Sequence, residues 1–257
     1  IKNDPPHYEP YYYRGIAKLE LGDIIGAEHD FTEAIKLKPL FIDNYIIRAS
    51  TRDRLSNYEG AFEDFNTAIN IDSTNSDIYL NRAITYNTLQ NYELAIKDCE
   101  KALRYYNNKE LVYLIRGMSE LGLKSYYKAI NDFNIIIKSN PRKATTYVRR
   151  ATAQYYLAHY DAALNDIKKA LHLDDKNTYA YFQRAMVYNK IDHQDDALKD
   201  LNTVLELSPN STSAYYNRAL IYSEKEEYTK ALADYEKVIL LNSKNILAYY
   251  NRAQIYN

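Results

Sequence analysis

Eight arginines, Arg14, Arg48, Arg82, Arg116, Arg150, Arg184, Arg218 and Arg252, stand 34 residues apart along a chain of 257 residues. Seven aspartates, Asp30, Asp64, Asp98, Asp132, Asp166, Asp200 and Asp234, keep the same period, each 16 residues after one arginine and 18 before the next. Such groups could bind anions, move protons, or neutralise one another inside a packed array. Every copy carries both charges at the same spacing, which favours mutual neutralisation. An enzyme would instead need convergent polar residues, usually on loops that interrupt the scaffold. No insertion or deletion breaks the period here, and no catalytic residue is expected.

The remaining chemistry-bearing residues are sparse. The five histidines are scattered; His159 and His193 fall in equivalent turns of adjacent repeats and could meet a metal ion, but no cysteine or second motif joins them, and no metal site is expected. The six glycines form no phosphate loop, and no cofactor is expected. The single Cys99 takes the slot filled by Phe31, Phe65 and Phe133 elsewhere and reads as a core residue. One sequon, Asn210-Ser211-Thr212, lies in a turn between repeats. With a net charge of -1 and no block of lysine and arginine, the chain lacks the electrostatic footprint of a nucleic-acid binder. No apolar run approaches the roughly 18 residues of a membrane span.

The elements that carry the charges follow the same ruler. Tyrosine stands three residues before every arginine, from Tyr11 to Tyr249, and glycine or alanine follows it. Alanine recurs from Ala27 to Ala231, with a small or β-branched residue seven positions later, from Ala34 to Val238. Small residues at those spots let two helices approach closely. In this pattern, seen in repeat 1 as Tyr11, Gly15, Leu21, Gly22, Asp23, Ala27, Phe31, Ala34 and Pro39, the chain resembles the tetratricopeptide repeat family. Two departures stand out: the aromatic at position 4 is tyrosine in every copy, and arginine replaces the family's leucine at position 7. Seven complete units are counted, 8–41, 42–75, 76–109, 110–143, 144–177, 178–211 and 212–245, with partial units at 1–7 and 246–257. The resemblance implies an all-α, right-handed superhelical solenoid, one array over 1–257, with helices at positions 2 to 14 and 18 to 30 of each unit. Ile1 to Asn3 read as the tail of an earlier second helix and Asn257 falls inside a first helix, so the expectation is a window cut from a longer protein.

Helix arithmetic places the ladder. At about 100° per residue, positions 2, 5, 9, 12 and 13 of the first helix share a face and position 7 lies nearly opposite. The arginine then points into the layer of second helices, between its own and that of the preceding repeat. Position 23 lies beside position 27, the small residue that in the family packs on the next repeat. The expected pairs are therefore Asp30 with Arg48, Asp64 with Arg82, Asp98 with Arg116, Asp132 with Arg150, Asp166 with Arg184, Asp200 with Arg218 and Asp234 with Arg252.

Function falls to the face that the resemblance makes concave. Its stripe reads Leu80 and Ile84, Leu114 and Met118 widened by Leu111 and Leu121, Val148, Phe182 and Met186, Tyr216 and Leu220. A long apolar strip of this kind marks a partner site, and methionines suit adaptable contacts. The same side chains would also serve if they touch neighbouring first helices, and that alternative stays open. The expected function is a non-enzymatic interaction scaffold that holds an apolar protein or peptide segment. A recruiting arm of an enzyme whose catalytic domain lies elsewhere, and a spacer that self-associates through uncapped ends, are the two alternatives.

Overall fold

The computed structural model describes residues 7–105 and 109–256, so the expected tail of an earlier repeat at the start of the chain lies outside the described residues. Among the described residues there are fifteen α-helices and no strand. They run α1 Glu9–Glu20, α2 Ile24–Leu37, α3 Ile42–Arg54, α4 Tyr58–Ile71, α5 Ser76–Thr88, α6 Tyr92–Tyr105, α7 Glu110–Gly122, α8 Tyr126–Ser139, α9 Ala144–Tyr156, α10 Tyr160–Leu173, α11 Thr178–Lys190, α12 Gln194–Leu207, α13 Thr212–Glu224, α14 Tyr228–Leu241 and α15 Ile246–Tyr256. Odd-numbered helices are first helices of a repeat and even-numbered ones second helices. The observed bounds agree with the expected ones to within about one residue. The chain divides into two compact units at Asp132 and Phe133, inside α8.

Each hairpin turns at one left-handed residue. Position 15 has positive φ in all seven repeats: Gly22, Ser56, Gln90, Lys124, Ala158, Asp192 and Glu226, six of them residues other than glycine. The next amide closes the end of the first helix by reaching back five residues, as Asp23 N–H does to the Lys18 carbonyl at 2.8 Å and Ser125 N–H to that of Glu120 at 2.8 Å. Carbonyls that the helix end would leave bare are thereby satisfied. Side-chain caps then start several helices, among them Asp23 on Gly26 N–H at 2.9 Å and Asn177 on Ala180 N–H at 2.9 Å.

Within the first unit, Ile35, Tyr45, Ile46, Ala49, Ala61, Phe65, Ala68 and Ile78 form one buried cluster, and Tyr79, Leu80, Ala83, Ala95, Cys99, Ala102, Val112 and Ile115 the next. The second unit repeats the arrangement around Ile167, Leu201 and Tyr235. Every cluster takes alanines from positions 8 and 20 of the small-residue ruler, three of them also from position 27, and those of the second unit add Ala180, Ala214 and Ala248 at position 3. At Gly15 the reason is direct: a methyl group there would come within 2.7 Å of the Phe31 ring.

Candidate functional site

The charged ladder forms, but with a different partner from the one expected. Each of the first seven arginines pairs with the aspartate 16 residues after it, in its own repeat: Arg14 with Asp30, Arg48 with Asp64, Arg82 with Asp98, Arg116 with Asp132, Arg150 with Asp166, Arg184 with Asp200 and Arg218 with Asp234. Nε and Nη2 donate to the two carboxylate oxygens at 2.5 to 2.9 Å, a bidentate fork in every copy. The pairs expected at an interval of 18, from Asp30 with Arg48 to Asp234 with Arg252, are thus corrected. Positions 7 and 23 lie eight residues either side of the left-handed turn at position 15. Antiparallel packing brings residues equidistant from a tight turn face to face.

The third guanidinium nitrogen makes the link between repeats. Arg48 Nη1 donates to Thr32 Oγ1 at 3.1 Å, Arg82 to Asn66 Oδ1 at 3.1 Å, Arg150 to Asn134 Oδ1 at 2.6 Å and Arg218 to Asn202 Oδ1 at 2.6 Å, all at position 25 of the preceding second helix. Tyrosine at position 4 adds two further ties. Its ring lies under the arginine three residues on, with centroid distances from 5.2 Å at Tyr11 to 5.9 Å at Tyr45. Its hydroxyl donates to a carbonyl of the preceding inter-repeat turn, as Tyr45 does to Pro39 at 3.0 Å, Tyr79 to Ser73 at 2.9 Å and Tyr181 to Asp175 at 3.1 Å. Position 4 therefore uses an oxygen that tryptophan does not have.

Titration follows from these contacts. The Arg14 hydrogen bond holds the Asp30 carboxyl down to about 2. Hydrogen bonds donated to the ladder aspartates keep Arg116, Arg150, Arg184 and Arg218 above the usual arginine value. Burial pushes the Cys99 thiol up to about 12, which leaves it protonated and unreactive at neutral pH. Among the described residues, no group of three or more His, Cys, Asp or Glu side chains is placed to hold a metal ion. His193 stacks on Tyr188 at 6.1 Å.

The first-helix stripe is largely packing. Leu80, 2% exposed, and Val148, fully enclosed, belong to the cores of their units, so their assignment to an open groove is corrected. Ile84, Phe182, Met186 and Tyr216 are partly buried against the same cores, and Leu114, Met118, Leu121 and Leu220 are half-buried. Position 5 is covered because adjacent first helices sit close enough to share it. Leu111, 43% exposed, remains open, and so does the rest of position 2: Asp43, Asp77, Thr145, Tyr179 and Ser213. This row is one that helix arithmetic put on the right face but that the apolar criterion overlooked.

Two hollows use that row. In the first unit, Tyr12, Asp43, Ile46, Ile47, Ser50, Asp77 and Asn81 enclose about 370 Å³, an apolar floor flanked by two carboxylates. In the second, Tyr179, Phe182 and Val204 lie below the hydroxyls of Thr178, Ser208, Ser211 and Ser213 around about 290 Å³.

Two-helix units of fixed length, four of them tied to the unit before by the ladder arginine, define an all-helical repeat solenoid. Residues 76–109, 178–211 and 212–245 match the tetratricopeptide repeat family, and the other four units carry the same Tyr, Arg, Ala and Asp ruler: the chain is a tetratricopeptide repeat protein. No curated protein matches it. Among solved structures it resembles a tetratricopeptide repeat protein from Parabacteroides merdae, at TM-score 0.80 and 20% identity over 97% of this chain and 99% of that one. It is also similar to a chain of the APC/C hetero-tetramer Cut9-Hcn1, at TM-score 0.75 and 17% identity over 88% of this chain and 45% of that one. A third likeness is to YrrB, described as a TPR protein with an unusual peptide-binding site, at TM-score 0.52 and 24% identity over 74% and 97%. Identities this low carry the fold.

Proposed function

We propose that the protein is a non-enzymatic scaffold, one continuous array of repeats, that holds an extended segment of a partner protein along the exposed row of its first helices. The observation that carries this reading is position 2. It is open in both units and adjoins a hollow in each, while the residues beside it are committed to packing. The hollow of repeats 1 to 3 suits an apolar side chain followed by a basic one, since Ile46 and Ile47 supply contact area and Asp43 and Asp77 supply charge. The hollow at Tyr179 and Phe182 suits an apolar anchor with backbone groups within reach of the serine hydroxyls. Peptide binding by YrrB and assembly of Cut9 with Hcn1 support the general reading, because extended solenoid surfaces are used this way.

The test is an affinity capture with the intact array against a variant carrying Asp43→Lys, Asp77→Lys, Leu111→Ser and Tyr179→Ser. All four side chains are exposed, so the helical circular dichroism and melting temperature should be nearly unchanged. Loss of the captured partner with an intact fold supports the groove. Undiminished capture moves the binding surface off the first helices.

A further inference from the structure

Position 11 of the first helix adjoins the ladder in five repeats, and among its occupants along the array repeat 4 alone carries an acid. In repeat 1 it is Lys18, whose Nζ lies 2.9 Å from Asp30 Oδ2 and donates to the Gly26 carbonyl at 3.2 Å. In repeat 2 it is Arg52, whose Nη1 donates to Asp64 Oδ2 and to the Gly60 carbonyl, both at 3.1 Å. In repeats 3, 6 and 7 a tyrosine ring stands there, with the ladder guanidinium 5.8 to 5.9 Å from its centroid. In these five repeats the slot holds a cation on the ladder carboxylate or an aromatic ring under the ladder arginine, and repeat 5 places the neutral Gln154 there, its Oε1 buried without a hydrogen-bond partner.

Repeat 4 has Glu120 instead. It is 5% exposed, and among the described residues its carboxylate has no hydrogen bond or ion pair. It lines a cleft of about 270 Å³ with Glu100, Arg116, Lys128, Asn131 and Asp132. Arg116 is spent on both oxygens of Asp132. Glu100 occupies position 25, where Thr32, Asn66, Asn134 and Asn202 accept the third guanidinium nitrogen, yet no bond joins it to Arg116. Two carboxylates therefore face one exposed ammonium, Lys128. The Glu120 carboxylate opens onto the cleft, and a cation that enters there supplies the charged partner it lacks.

We infer that this cleft receives a basic side chain, arginine or lysine, from a partner protein. The repeats themselves show the fit: Lys18 and Arg52 fill the equivalent space with an ammonium and a guanidinium. The cleft opens on the side of the second helices, so the inference stands apart from the first-helix groove. A peptide carrying one such side chain would pair with Glu120 and Glu100 and lay its stem beside Asn131.

The experiment is a calorimetric and NMR titration of the 257-residue chain with Nα-acetyl-arginine amide, with Nα-acetyl-norleucine amide as control. Saturable binding of the arginine probe in the millimolar range, about 1 to 10 mM, is expected, with shifts confined to repeats 3 and 4. Glu120→Gln should weaken it about tenfold and Glu100→Gln, an exposed change that keeps the fold intact, about threefold. Lys128→Ala should tighten binding by removing the competing ammonium. Glu120→Lys should abolish binding and raise the melting temperature, because it restores the arrangement of repeat 1. The inference is overturned by absence of saturable binding, by affinity that Glu120→Gln leaves unchanged, by equal binding of the norleucine control, or by calcium chloride binding at Glu120 in place of the arginine probe.

Discussion

The inside of each hairpin and the outer row of its first helix belong to the same helix, yet they follow opposite rules. Position 7 never varies, and its arginine spends two nitrogen atoms on its own aspartate and, in four repeats, the third on the repeat before. Position 2 changes along the array, from Asp43 and Asp77 through Leu111 to Tyr179, and it is exposed throughout. Position 5 lies between the two in behaviour. It varies, but only among side chains that fill the space between neighbouring first helices. Uniformity across repeats thus marks the stacking chemistry, variation with burial marks adjustable packing, and variation with exposure marks the surface left for a partner.

The sharpest way to break this comparison is to strand one arginine. Asp132→Ala leaves Arg116, not Arg150, without its carboxylate, and should destabilise the fold by about 3 kcal/mol, the low end for a broken buried pair because the arginine keeps some solvent. The second change identifies the partner. Asp132→Ala with Arg116→Leu should recover part of the loss in urea unfolding, whereas Asp132→Ala with Arg150→Leu should be additive. Coupling to Arg150 instead would reinstate an interval of 18 residues.

Next in size is the contrast along the stripe. Leu80→Ala removes an enclosed side chain and should cost about 2 to 3 kcal/mol through lost contacts and the cavity left behind. Leu111→Ala, on the open row, should stay within about 0.5 kcal/mol. Equal costs at the two sites would mean that position 2 is also packing, and the proposed surface would lose its foundation.

Acid tests the ladder at Asp30. Asp30 titrates at about 2 in the folded chain, below the ordinary aspartate value, so its contribution is fully present above the unfolded pKa near 4. As pH falls from about 4 towards 2 that contribution is lost. Arg14→Leu should return the Asp30 carboxyl upwards in an NMR titration, and should shift the acid-unfolding midpoint to higher pH. An Asp30 titration that ignores Arg14 would contradict the pairing.

Much of this was legible from the residues. The period, the two helices, their bounds and the buried alanines all follow from the spacing, because a packed repeat repeats its contacts. Pairing was misassigned since helix arithmetic fixes which face a side chain occupies but not which neighbour that face meets; the mirror relation of positions 7 and 23 about the turn held the answer. The tyrosine hydroxyl bonds were invisible because they end on backbone carbonyls, which leave no mark in a sequence. Leu80 and Val148 were misread for a different reason: burial between adjacent first helices depends on interhelical distance, which composition does not encode. Glu120 is legible in the sequence as the one acid at position 11, a column otherwise of lysine, arginine, glutamine and tyrosine.

The smallest effect concerns the turn that creates the mirror. Repeat 1 places Gly22 at the left-handed position and repeat 4 places Lys124 there, both exposed and both with φ near the same region, at 82° and 58°. A residue with a Cβ pays roughly 1 to 2 kcal/mol in this conformation, whereas glycine gives back part of that advantage, roughly 0.5 to 1 kcal/mol, through its greater freedom in the unfolded chain. The balance predicts that Lys124→Gly stabilises by only about 0.5 kcal/mol. Gly22→Ala should destabilise by a similar amount, and no atom lies within 4 Å of the added methyl group to enlarge the effect. Chemical unfolding of the two variants side by side measures both signs. A loss of stability in Lys124→Gly would show that the lysine does something at that turn beyond adopting its shape, and would single out repeat 4, already exceptional at Glu120, for a second reason.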